Sequence, residues 1–132
     1  MNKELIMKLI DKAREASDNT YCPYTNVPVG CALMTSDNTI FCGCNIETKN
    51  LVGSVTAGEV AVIKAISEGY TSFAAVCFYS DTMMPYPDGG ACQIIADFAP
   101  MIRVIVSNKD TFNLHYLHEI FRFSPEFPEV DS

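Results

Sequence analysis

The chain predicts an α/β fold, and three observations carry that prediction. An N-terminal amphipathic helical run is followed by two extended apolar runs, and helical runs then alternate with short continuous apolar ones. Of its 132 residues, 48% are hydrophobic, enough for one compact domain over residues 1–132 to bury a core without staples. Strands alternating with helices late in the chain imply parallel pairing there, with right-handed crossovers.

Asn2 can cap a first helix in which Leu5, Ile6, Leu9, Ile10 and Ala13 recur on one face, ending near Ser17-Asp18-Asn19. Tyr21–Asn26 is turn-like, because Pro23 and Pro28 exclude helix. Val29–Met34 and Thr39–Asn45 read as a hairpin around Ser36-Asp37-Asn38. Thr48–Ser54 is a loop. A helix from Thr56 to Glu68 carries Ala61, Ile63, Ala65 and Ile66, with Gly69 suited to its C′ stop. Ala74–Tyr79 and Met101–Val106 read as strands covered on both faces. Between them a loop holding Pro85 and Pro87 leads to a helix from Asp88 to Phe98. Asn113–Phe123, with Leu114, Leu117, Ile120 and Phe121 in helical spacing, reads as a last helix.

Nine basic against sixteen acidic residues give a net charge of −7, the wrong sign for gripping a phosphate backbone, so no nucleic acid partner is expected. Glu126, Glu129 and Asp131 place part of that charge in a solvated tail. No run approaches the roughly 20 apolar residues of a membrane span, and no signal-like segment opens the chain, so no membrane is expected and a cytoplasmic protein is. The cysteines fit that compartment: Cys22, Cys31, Cys42, Cys44 and Cys77 lie in or beside apolar runs, where a free thiol behaves as a small hydrophobe.

Several blocks, in order and in register from about Ala13 to Phe98, resemble the small homotetrameric cytidine deaminases. They are Tyr21-Cys22-Pro23-Tyr24-Thr25, Pro28–Leu33, Gly43–Glu47, Lys64–Tyr70 and Gln93–Phe98. The resemblance implies a three-layer α/β/α sandwich around a mixed five-stranded sheet. It also implies a zinc held by cysteine or histidine at two helix starts, with a glutamate two residues after the first ligand to shuttle the proton. Aligned without gaps, those positions fall on Thr56 for the first ligand, Gly58 for the glutamate, and Asp88 and Ala91 for the second pair. A one-residue deletion places the second pair on Gly89 and Cys92 instead. Neither frame keeps more than one thiolate, where a catalytic zinc takes three protein ligands. The sequence therefore leads to an expectation of no catalytic residue at these positions, no metal and no cofactor.

Thr56-x-x-Glu59 is instead a capping box, and Asp88 a good N-cap behind Pro87. Their plain reading is helix capping. The sharper one is a small anion pocket between two positive helix ends. For the nucleoside side, the resemblance implies that Asn45 and Glu47 hold the ribose hydroxyls, with Val27, Ala57 and Asp88 along the ligand and Phe123 closing a neighbouring subunit's site. Two solvated polar residues at a strand end are the alternative for Asn45 and Glu47. Val27 stands where the family has an aromatic, and Leu51 where it has a tyrosine.

His115 and His118 before Glu119 form a weaker candidate metal pair on an amphipathic helix, Cys42 and Cys44 share a strand face, and Met83-Met84 fills a loop. The function expected first is a pseudoenzyme with its zinc site lost. It would bind a nucleoside-like ligand as a homotetramer, or partner an active homologue in a hetero-oligomer. The second reading is altered, metal-independent chemistry on Asp88 or Glu59. The third is an active zinc-dependent deaminase.

Overall fold

The computed structural model describes residues 1–122. Helix α1 (Lys3–Ser17) is capped by Asn2, whose Oδ1 accepts from Leu5 N at 2.8 Å. Strands β1 (Gly30–Thr35) and β2 (Ile40–Cys44) form the predicted antiparallel hairpin, turning at Asn38 in the left-handed region. Helix α2 (Ala57–Ser67) starts at Thr56 and stops at Gly69, where φ is +92°. The amides of Gly69 and Tyr70 close back on Ile66 and Ala65, a Schellman ending. Strand β3 (Phe73–Tyr79), helix α3 (Gly89–Phe98) and strand β4 (Arg103–Ser107) follow, and β3 and β4 pair in parallel as the alternation predicted.

The end of the chain departs from the sequence reading. Asn113–Phe123 is not one helix. It divides into strand β5 (Phe112–Tyr116), antiparallel to β4, and a single helical turn, α4 (Leu117–Ile120). Phe-Asn-Leu-His-Tyr pairs as well as any edge strand, and the helical spacing of Leu114 with Leu117 was coincidental: Leu117 is fully buried, whereas Leu114 is 37% exposed. His115 and His118 consequently lie on different elements and do not form the proposed helical pair. In α2, Ile63 faces outward rather than into the core.

The sheet order is β2-β1-β3-β4-β5, a mixed five-stranded sheet. Alternate residues of its strands face opposite layers, as strand geometry demands. Ala32, Met34, Ala75, Cys77 and Ile105 pack on Ile6, Leu9, Ile10 and Ala13 of α1. Cys31, Leu33, Val76, Phe78, Val104 and Val106 pack on α2 and α3. Helix α2 lies close on the sheet because β2 offers it no side chain at Gly43, where a Cβ would sit 2.5 Å from Ala57 O. That contact fixes the height of the α2 start above the sheet. The six cysteines are all free. Among the described residues no helix is long and apolar enough to cross a membrane.

Candidate functional site

A cavity of about 350 Å³ opens where the end of β3 meets the starts of α2 and α3. Thr25, Val27, Val29 and Asn45 form one wall, and the helix starts contribute Thr56, Gly58 and Asp88. Phe78 of β3 lies at the sheet side, and Met83, Pro85, Tyr86 and Pro87 close the remaining side. A second cavity of similar size lies between α1 and the β4–β5 turn. Arg14 and Asp11 in its wall pair with each other at 3.2 Å, and Lys109 and Asp110 line it as well. The first cavity lies at the carboxyl end of the parallel β3–β4 pair, beside two helix N-termini, where α/β proteins gather polar ligands.

Both helix starts are closed from within. Thr56 Oγ1 accepts from Glu59 N at 3.3 Å, and Glu59 Oε1 accepts from Thr56 N at 3.1 Å and from the Thr56 hydroxyl at 3.0 Å. This is the reciprocal capping box that the sequence predicted. Asp88 Oδ2 accepts from Ala91 N at 3.1 Å. Cys92 is 1% exposed and its thiol points at Pro87 O, 3.9 Å away. Burial, and secondarily the Asp88 charge, push that thiol up to about 12, so it stays protonated at neutral pH.

The zinc implied by the resemblance needs three protein donors around one point. Among the described residues no group of three or more His, Cys, Asp or Glu side chains is so placed. Gly58 leaves no room for a larger residue either, because a Cβ there would lie 2.9 Å from both Ala91 Cβ and Phe78 Cε1. As placed, these residues do not fit the ion, and no step below is routed through it.

Asn45 and Glu47 meet neither a solvated strand end nor an open grip. Asn45 Oδ1 accepts from Val29 N at 2.8 Å, and its Nδ2 donates to Val27 O at 2.9 Å. Glu47, 7% exposed, accepts from Tyr24 N at 3.0 Å, Thr25 N at 3.1 Å and the Thr25 hydroxyl at 2.5 Å. The Thr25 hydroxyl above all holds the Glu47 carboxyl below its ordinary value, against the opposing effect of burial, and the Thr25 and Tyr24 amides add to it.

Of the residues singled out from sequence, Val27, Asn45, Thr56, Gly58 and Asp88 are brought together around the cavity. Ala57 (2% exposed) and Ala91 (fully buried) lie behind it, and Glu47 braces its wall from outside. Phe123 lies outside the described residues. Sequence reasoning missed Thr25, Phe78, Pro85 and Tyr86, and it reduced Met83, which lines the cavity, to filler. An aromatic bracketed by two prolines was the available signal for Tyr86.

Residues 3–106 match the family model described as the cytidine and deoxycytidylate deaminase zinc-binding region. A cytidine deaminase of Sporosarcina psychrophila is 42% identical over 94 residues, covering 70% of this chain and 69% of that protein. A probable cytidine deaminase of Dictyostelium discoideum is 35% identical over 115 residues, covering 85% and 78%. The crystal structure of cytidine deaminase from Burkholderia pseudomallei superposes with a TM-score of 0.82 at 28% identity, covering 91% of this chain and 96% of that one.

These matches overturn the expectation of a non-deaminating pseudoenzyme with a lost zinc site. The matched region is the family's zinc-binding one, the relatives are named for the deamination itself, and Glu47 is retained and buried. Capped helix ends report how backbone groups are satisfied, which is a local matter and not a statement about the reaction. Family model, relatives and superposition agree: the chain belongs to the cytidine and deoxycytidylate deaminase family.

Proposed function

We propose that the cavity is a pyrimidine-nucleoside site and that the reaction run there is the one its relatives are named for, deamination of cytidine. The observation that carries this reading is the coincidence of family and place. A chain 42% identical to a cytidine deaminase keeps, at the carboxyl end of its parallel strands, a cavity of about 350 Å³. That size suits a nucleoside. In the reaction water adds to C4 of the base, its oxygen stays on that carbon, and the amino group leaves as ammonia.

Asp88 is the one carboxylate among the described residues that line the cavity, so it is the group placed to hold the proton of the attacking water. Asn45 and Val27 line the sugar and base side, and Glu47 keeps Thr25 in the wall. The same reading includes association of copies into the homotetramer implied by the resemblance. The exposed apolar side chains of Tyr21, Tyr24, Ile46, Leu51 and Val52 support it. Six free thiols support a reducing, cytoplasmic setting.

The test is ammonia release from cytidine by the full chain, with and without added zinc, beside calorimetric titration of cytidine and uridine and sedimentation to read the assembly. Turnover in either buffer, with saturable binding, is the expected result. No ammonia in both and no heat from either nucleoside overturns the proposal.

A further inference from the structure

Among the described residues lining the cavity two are aromatic, and only one of them has surface to spare. Phe78 is 2% exposed and packed into the core against Gly58. Tyr86 is 48% exposed. Its backbone is held between Pro85 and Pro87, whose rings fix φ on either side, and its amide donates to Met84 O at 3.1 Å. Its hydroxyl is tied to β5: Asn113 Nδ2 donates to it at 3.4 Å, and His115 Nε2 lies 3.2 Å away. The His115 ring stands tilted at 5.5 Å from the Tyr86 ring, bracing it from the same strand. The hydroxyl is thus committed to β5, and what Tyr86 offers the cavity is its ring.

We infer that Tyr86 is a specificity-determining residue of this site, its ring supplying the flat surface on which the base of the bound nucleoside stacks. Among the described residues the rest of the apolar lining cannot do this, since Val27, Val29, Met83, Pro85 and Pro87 carry no aromatic ring. A ring fixed in advance at both backbone and hydroxyl stacks on a base without first being ordered, so little of the contact is lost to immobilising it. Stacking selects for planarity and tolerates differences in hydrogen-bonding edge. The site should therefore favour uridine and cytidine over a nucleoside whose base is saturated.

This inference rests on the nucleoside reading above, and calorimetry with uridine and 5,6-dihydrouridine, which differ in planarity, separates the two. Tyr86→Ala is expected to weaken uridine by about 10-fold or more and dihydrouridine by about twofold or less. Tyr86→Phe, which keeps the ring, is expected to stay within about threefold of the parent for uridine. If Tyr86→Ala binds uridine as the parent does, or loses uridine and dihydrouridine equally, the stacking role is overturned while the nucleoside site stands. If the parent chain binds neither nucleoside, the site reading falls and this inference with it.

Discussion

Two polar clusters flank the same cavity and are built in opposite ways. At the helix starts, Thr56, Glu59 and Asp88 bond to partners three residues away, within their own first turns. On the facing wall, Asn45 and Glu47 reach back 16 to 23 residues to the segment from Tyr24 to Val29. The first cluster finishes two helices that packing would hold in place anyway. The second decides where a wall of the cavity stands, because Thr25, Val27 and Val29 have neither helix nor strand around them until β1 begins at Gly30. Local bonds tune, and long-range bonds position.

The contrast breaks most visibly at Glu47. Glu47→Ala removes the acceptor for two backbone amides and a hydroxyl at once, at a residue only 7% exposed. The largest fall in thermal midpoint of the variants considered is expected here, together with loss of nucleoside binding as the wall moves. Acid should imitate the variant. The folded carboxyl is held below its ordinary value near 4.5. Its contribution is therefore complete above that value and is lost as pH falls through the lowered folded one. Urea midpoints measured from pH 6 to pH 3 should fall more steeply for the parent than for Glu47→Gln. Parallel curves would show that the carboxylate does not brace the wall.

An intermediate effect is expected where α2 touches α3. Gly58→Ala places a Cβ 2.9 Å from Ala91 Cβ and from the Phe78 ring, both deep in the core. Overpacking of this kind costs about 1–3 kcal/mol, and the better helix propensity of alanine returns about 1 kcal/mol. A net loss of about 1 kcal/mol in urea unfolding is the outcome, against no loss or a gain if the helices can part.

How much of this was legible beforehand follows from the same division between local and distant. The 3.6-residue recurrence of Ile6, Leu9, Ile10 and Ala13 announced the buried stripe of α1, and Thr56-x-x-Glu59 announced the capping box, because both signals sit within a few turns of chain. The resemblance singled out Asn45 and Glu47 as a grip on ribose hydroxyls, but nothing in the sequence shows that they bond to Thr25 and Val29. Edge strand β5 was hidden by a coincidence of period, since Leu114, Leu117 and Ile120 also fit a helix. Tyr86 carries no periodic signal; its place depends on a loop folding onto β5. The reading of function failed for a related reason. The family was legible in blocks spread from about Ala13 to Phe98 and is matched over residues 3–106, but the loss of activity was argued from two helix starts alone.

The smallest structural change with the largest functional contrast is Asp88→Asn. Asparagine caps a helix about as well as aspartate, and its Oδ1 can still accept from the Ala91 amide 3.1 Å away. Only the charge at the helix start is lost, about 0.3–1 kcal/mol at most for an accessible position. Stability should therefore stay within about 1 kcal/mol of the parent in urea unfolding. Uridine affinity should be unchanged, because the cavity keeps its shape. Ammonia release should fall by about 100-fold, because the amide that replaces the lining carboxylate cannot take a proton. A variant that unfolds early would make Asp88 a positioning residue like Glu47. A variant that deaminates at the parent rate would leave it a cap and nothing more, on the same footing as Thr56.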